Sequence, residues 1–521
     1  MIYVIGSGPA GVSAAAALVN KGHEVTMLDA GFDLEPEQAR LVDRLRQQEK
    51  KTWDPVSVNS LKAKMVTSLE GVDLKYVYGS DYPYRGMERY QPVKLDGAKM
   101  IRSLAKGGLS TVWGASILPY RKDDIKDWPI TIKDLEPHYR AVLSFMPHSG
   151  KKDGLDAILP LYDDFYHQCI QCRQASALLY DLEINRNALE AEKIFFGFSR
   201  LAVKFDQDQD GLGSQYCGMC LYGCPYGKIY SAAFTLDQLM GHEKFHYVNN
   251  VLVEKLIDAN GEVRILAKSL FDSGELEFRG SRVFLAAGIL SSTRILLQSM
   301  EAFYHPLVIK HSEHFQFPLL RYNKTKNVAT EDLHTLTQLS ILFLDKSVSK
   351  NTVHMQVYAY NDLYIKAINQ LIGPLAPVLK RPVEEITGRL LIIKGYLHSD
   401  ISSRILVSLE PGKDGRLLLK GRSNNESKKA VKKIVAKLFR NRKYFRAVPG
   451  LAKISEPGKG NHSGGSFPMK KKPSEFETDE LGRPYGFKRV HVVDSSVFPT
   501  VPATTITLTI MANAHRIASA C

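Results

Sequence analysis

The sequence predicts an α/β protein (α+β overall), with a doubly wound parallel sheet in one domain and a mixed or antiparallel sheet in a second. Three observations carry this. Residues 1–31, MIYVIGSGPAGVSAAAALVNKGHEVTMLDAG, read as strand, glycine turn, Ala-rich helix and second strand. Arg282–Ser299, RVFLAAGILSSTRILLQS, is a second buried strand that ends in Ala286-Ala287-Gly288 and runs into a helix. Strand-like runs at Val353–Tyr360, Arg404–Leu409 and Arg416–Leu419 supply the other sheet.

The first passage is the most specific. Gly6 makes the tight turn, Gly8 lets the backbone approach a pyrophosphate, and Gly11 lets the helix pack on the strand. The amino end of the helix adds N–H donors and a positive dipole. Asp29 follows 23 residues after Gly6, at the carboxyl end of the second strand, where an acid suits a free ribose 2′-hydroxyl. The passage is a Rossmann-type dinucleotide site for FAD or NAD rather than NADP.

Composition sets the limits around it. At 521 residues and 44% apolar content, the chain can build two or more packed domains. Met1 leads straight into the apolar run Ile2–Ile5 with no basic flank, so export is not expected, and no run of eighteen uncharged apolar residues suggests a membrane span. A cytoplasmic protein is expected, with the inner face of the membrane as a further location. Six cysteines without a secretory signal read as reduced thiols or metal ligands.

The net charge of +14 is concentrated between Lys420 and Arg446. There SKKAVKKIVAKLFR sets Ala430, Val431, Ile434, Val435 and Leu438 on one helical stripe. A helix packed on its own domain and a peripheral contact with anionic lipid or phosphate are the two readings. The segment Leu371–Leu397 mixes apolar residues with prolines and Lys380-Arg381 and raises the same membrane question. No aromatic-interleaved basic repeat or finger motif points to nucleic acid.

Beyond these local signals, much of the chain resembles the glucose-methanol-choline (GMC) flavin oxidoreductases. VHVVDSSVFPTVPATTITLTIMANAHRIA, from Val490, is similar to their closing segment. RSLAKGGLSTVWGASILPY (Arg102–Tyr120) resembles their glycine-rich flavin loop, in the branch of pyranose oxidases and membrane-linked FAD sugar and gluconate dehydrogenases. WPITIKDLEPHY (Trp128–Tyr139) resembles the segment that follows in that branch. The resemblance implies FAD, with Asp494 approaching it and contacts at Ser7, Ala10, Gly107, Gly108, Ser110, Val253, Ala287, Gly288 and Thr507. Pyranose oxidases carry a histidine in this loop that bonds covalently to FAD; Val112 stands there, so the cofactor is expected to be non-covalent.

NHSGGSFPM (Asn461–Met469) is similar to the family segment whose histidine faces the flavin as the base, which assigns that role to His462. The family's second active-site position, a histidine or asparagine, is Thr505, which can share one hydrogen bond but cannot serve as a base near neutral pH. His354, His398, His491 and His515 read as core or surface residues. In YCGMCLYGCPYGKIYSA, Cys217, Cys220 and Cys224 resemble the cysteine segment of membrane-linked dehydrogenases, some of which hold an iron-sulfur cluster; zinc and a metal-free structural loop are the other readings. Cys169 and Cys172 form a further C-x2-C.

The implied architecture is a discontinuous FAD-binding domain of residues 1–145, 200–300 and 451–521. A substrate domain would span 301–450, with 146–199 joining it. The implied activity is hydride transfer from the C–H of a hydroxyl-bearing carbon to flavin N5. A sugar-like or polyol substrate, phosphate- or lipid-linked in view of the basic charge, is the expected partner. Thr505 and the cysteines keep two other readings open: a flavoprotein altered in catalysis, and an electron-transfer subunit of a membrane-associated dehydrogenase complex. The cysteines also favour a dehydrogenase over an oxidase, with the electron acceptor left open.

Overall fold

The computed structural model describes residues 1–62, 65–68, 73–163, 168–204, 216–362, 373, 380–412 and 415–521. Its first sheet is fully parallel, in the order Val490–Val492, Arg282–Leu285, Ile2–Ile5, Val25–Leu28, Phe245–Val248. Strands far apart in sequence therefore lie side by side. All four residues of Ile2–Ile5 and of Val25–Leu28 are buried, as unbroken apolar runs in a covered parallel sheet should be.

Helix Pro9–Asn20 is buried from Ala10 to Val19 because its alanines let two neighbours come close. One neighbour is the last helix, Thr507–Ser519, and Ser13 Oγ donates to Met511 O at 2.7 Å between them. Helix Ile132–Phe145, opened by a Thr131–Asp134 capping box, covers the last helix in turn, with Tyr139 and Thr509 hydroxyls 2.8 Å apart.

A seven-stranded sheet forms the opposite part of the molecule. Its central strands, His314–Arg321, Leu390–Tyr396, Val353–Tyr358 and Leu339–Phe343, are all antiparallel. One face is apolar: Phe315, Phe317, Ile393, Met355 and Val357 pack in a single core with helices Arg173–Glu183 and Asn425–Arg440. Residues paired directly across the strands share the other face, which is polar: His314, Tyr396 and His354 form one row, and Gln316, Lys394 and Gln356 the next. Alternation along each strand separates the two faces.

The basic helix is Asn425–Arg440, with Ala430, Val431, Ile434 and Leu438 buried against this sheet and Val435 packed beside them. Its apolar stripe is thus consumed inside the core, and only its lysine-rich face looks outward. Residues 371–372 and 374–379 of the second membrane candidate lie outside the described residues; the remainder forms helix Lys380–Thr387 and strand Leu390–Tyr396. Among the described residues no helix is long and apolar enough to cross a membrane.

A third sheet bridges the two, in the order Ser463–Gly464, Leu307–His311, Arg404–Leu409, Leu417–Arg422, Val93–Asp96. Of the predicted strands, Arg404–Leu409 has the expected limits, the run from Val353 stops at Tyr358, and the run from Arg416 is Leu417–Arg422. The start of the NHSGGSFPM segment is an edge of this bridging sheet.

Candidate active site

Three glycines of the first turn have distinct steric duties. A Cβ on Gly11 would stand 1.9 Å from Gly6 O, and one on Gly6, which holds φ +97°, would stand 2.8 Å from Ala286 O. Gly8 meets nothing within 4 Å, so its face is open. Gly288, at φ +81°, is equally open. Gly8 and Gly288 each begin a helix without a side-chain cap, which leaves first-turn N–H groups free for an anionic ligand.

The flavin-loop glycines close over this turn. Gly107 N donates to Ser7 Oγ at 2.9 Å, and a Cβ on Gly108 would lie 3.3 Å from Gly8 Cα. Ser110 fixes the loop, its hydroxyl donating to Gly107 O at 2.6 Å and accepting from Ala232 N at 2.9 Å. Asp29 is buried beneath, accepting from Ser7 N at 3.2 Å, Ser7 Oγ at 2.5 Å and Tyr247 OH at 3.0 Å. Burial raises its carboxyl above the ordinary value, and the Ser7 and Tyr247 bonds act against that. Ala10 and Val253 are buried, Val253 at a register shift in its strand, while Ala287 and Thr507 are half-buried.

Open glycines at two uncapped helix starts, an inward-facing acid and a backbone loop across them fit a dinucleotide such as FAD. Val112, half-buried at the end of that loop, offers no nucleophile for a covalent link.

Asp494 joins the closing segment to the Gly288 turn. Its carboxylate accepts from Gly288 N at 2.9 Å, Ser292 Oγ at 2.5 Å and Ser496 N at 2.9 Å, and burial raises its carboxyl above the usual range. The NHSGGSFPM segment runs alongside this turn: Gly465, Phe467 and Met469 N–H groups donate to the carbonyls of Ser495, Ser496 and Val497 at 2.8–2.9 Å. A Cβ on Gly464 would stand 2.7 Å from Ser495 O, so glycine there is steric.

His462 is held at the start of this strap, its carbonyl accepting from Ser312 N at 2.9 Å. Its ring stacks on Tyr396, centroids 4.6 Å apart at 24°. Nδ1 is buried and without a hydrogen-bond partner, and burial pushes the imidazole down to about 4, so the ring is neutral at neutral pH. His314 and His354 lie within electrostatic reach of it, both pushed down to about 3, chiefly by burial. His314 Nδ1 is 2.7 Å from Ser455 Oγ; His354 Nε2 is 3.4 Å from Ser340 Oγ, and its Nδ1 has no partner.

Thr505 Oγ1 accepts from Leu118 N at 2.8 Å, so this hydroxyl holds the far end of the flavin loop. His354 is fully buried, as a core histidine should be, and its ring lies 6.2 Å from that of Tyr396, on which His462 stacks. His398, His491 and His515 match their bland reading, bonded respectively to Asp124 O, Leu481 O and neighbours on the last helices.

The cysteines do not read as a metal site. Cys217 and Cys224 sit in an apolar cluster with Trp53 and Tyr226, and Cys220 lines a cavity of about 240 Å3 with Lys75, Thr111, Val112 and Trp113. Among the described residues no group of three or more Cys, His, Asp or Glu side chains could hold a metal ion. Burial raises all three thiols, Cys220 to about 11. The iron-sulfur reading thus has no support, and the preference for a dehydrogenase loses the observation on which it rested.

Residues 427–514 match the family model described as GMC oxidoreductase, and residues 4–34 match that of the NAD(P)-binding Rossmann-like domain. The chain is thus similar to GMC oxidoreductases over its closing segment and to Rossmann-like dinucleotide-binding domains over its first turn. No curated protein matches the chain by sequence. Among solved structures it is similar to pyridoxine 4-oxidase from Mesorbium loti at 14% identity and TM-score 0.57, covering 99% of this chain and 98% of that one. It is also similar to a variant of formate oxidase from Aspergillus oryzae at 13% identity and TM-score 0.60, covering 99% and 97%. At such identities the likeness is one of fold.

Proposed function

We propose that this chain oxidises a hydroxyl-bearing carbon of a sugar-like or polyol substrate, with non-covalent FAD and with His462 as the base. Bound FAD supplies the hydride acceptor. The neutral imidazole takes the hydroxyl proton as the C–H bond gives up its electron pair, and the product is a carbonyl compound. The single observation that carries this reading is the unpartnered, buried Nδ1 of His462, on a ring fixed by Tyr396 and by the strap to the Asp494 turn.

On this reading residues 1–145, 200–300 and 451–521 bind the cofactor, and 301–450, with 146–199, form the substrate domain. The polar face of the seven-stranded sheet supplies the substrate wall, with His354 as a second polar group where Thr505 is committed to Leu118. Anaerobic mixing of the FAD-loaded protein with a panel of polyols should bleach the flavin. His462→Ala should keep the oxidised spectrum and lose the bleaching; equal rates in the two proteins would refute the assignment.

A further inference from the structure

We infer that the substrate bears an anionic group, carboxylate or phosphate, received by Lys394 and Lys75 beside Tyr358. The inference rests on the reading above for where the substrate lies, but it stands on a different set of atoms. Lys394 shares the polar face of the seven-stranded sheet with His354 and Tyr396, and lies two residues before Tyr396 on the same strand. That spacing is about 7 Å along a strand. The Nζ of Lys394 stands 4.6 Å from the Tyr358 ring centroid. The hydroxyl of Tyr358 in turn lies 3.7 Å from where a Cβ on Gly114 would stand, next to Trp113 of the flavin loop. Lys75 reaches the same loop from another segment, lining the cavity with Thr111, Val112 and Trp113.

What sets these two lysines apart is the absence of a counter-charge. Elsewhere this protein supplies acceptors to the cations it buries: Lys437 pairs with Asp345 at 2.6 Å and Glu192 at 3.0 Å, Arg321 pairs with Asp181, and Lys310 donates to Pro499 O at 2.5 Å. Among the described residues no carboxylate or carbonyl takes the ammonium of Lys394 or Lys75. The histidines around them, His314, His354 and His462, are neutral near pH 7 and add no negative charge. Burial first, and the Lys394 charge second, pull Lys75 down to about 8, as befits two ammonium groups that crowd one another. Half-buried lysines that face one another without a protein acid are stabilised by an anion that arrives from outside.

Inorganic sulfate is the probe, since its charge stays constant across the neutral range. Titrated into the FAD-loaded protein, it should give a saturable change in flavin absorbance and raise the melting temperature. Lys394→Gln and Lys75→Gln should each weaken that binding by about tenfold or more with the FAD content unchanged, and Lys394→Arg should retain it. The His462→Ala protein should bind sulfate as the wild type does, so the anion subsite is judged whether or not His462 is the base. With substrates, a hydroxy acid or sugar phosphate should reduce the flavin with a kcat/KM about tenfold or more above that of its uncharged parent, a preference that Lys394→Gln removes. No saturable sulfate response, an undiminished response in Lys394→Gln, or an uncharged parent that reacts equally well would overturn the inference. Loss of FAD from Lys394→Gln would overturn it too, by assigning the lysine to the cofactor's own diphosphate.

Discussion

The nucleotide end and the polar face of the seven-stranded sheet leave different buried polar atoms unmet: a hydroxyl, Ser496 Oγ, beside Asp494, and two imidazole nitrogens on the sheet. At the nucleotide end Asp29, Asp494, Ser7 and Ser110 are all engaged by other groups of the protein, and what stays open is glycine surface and helix N–H. On the sheet face, Nδ1 of both His354 and His462 is buried without a hydrogen-bonding partner, and the half-buried Lys394 ammonium rests over the Tyr358 ring. An unmet buried polar atom costs about 1–3 kcal/mol, so several in one place are kept for a molecule that satisfies them. On the proposed reading, the first region is the cradle of the cofactor and the second a surface that a substrate completes.

The strongest way to break this contrast is at His462. Its replacement by Ala should lower the rate of flavin reduction by about 10²–10⁴-fold, the usual worth of a general base, while the FAD spectrum and melting temperature change little. A comparable fall in FAD content would place the histidine in the cradle instead. Asp494→Ala should do the reverse. Its carboxylate serves Gly288 N, Ser292 Oγ and Ser496 N, so its removal should cost about 3 kcal/mol of stability and weaken FAD retention, read by melting temperature and by flavin released on dilution. Unaltered FAD retention would separate this turn from the cofactor site.

The two regions also differed in how far the sequence revealed them. The glycine turn and Asp29 lie within one strand-helix-strand unit, so spacing alone marks them, and Asp494 and His462 were legible by resemblance because each sits in a continuous motif. The sheet face has no such motif. His354 and Lys394 lie on separate strands and meet only through the register that pairs His354 with Tyr396 and Gln356 with Lys394. The one local hint was the period-two stripe His354, Gln356, Tyr358 inside a predicted strand, polar on the face that should have been core. Lys75 comes from far earlier in the chain and carried no signal at all.

Acid should act on the sheet face first. His354 is fully buried with its folded value pushed down to about 3, against 6.5 when free. The unfolded chain therefore binds the proton first as pH falls below 6.5, so stability is fully present above that value and declines toward about 3. The slope is about 1.4 kcal/mol per pH unit for this one residue. His462, lowered to about 4, moves in the same sense, and flavin reduction should fall as protonation removes its lone pair. In melting curves recorded against pH, His354→Gln should flatten the acid limb; an unchanged limb would mean that His354 is not held neutral. Asp29 and Asp494, raised by burial, add no loss in that window.

The smallest effect is expected at Thr505, and it tests where the boundary between the two regions runs. Its hydroxyl accepts from Leu118 N at 2.8 Å, an intramolecular bond that fixes the stretch following Trp113. Thr505→Val preserves shape and removes the acceptor, leaving a buried N–H unmet, which should lower stability by about 1 kcal/mol and slow flavin reduction less than about tenfold. Thr505→Ser should restore both. A Val variant with intact stability but a rate reduced as far as that of His462→Ala would mean that the hydroxyl leaves Leu118 and turns to the substrate, and the sheet face would then extend into the closing segment. A loss shared between stability and rate, and rescued by serine, keeps Thr505 with the protein's own scaffold and leaves His354 as the group that stands beside His462.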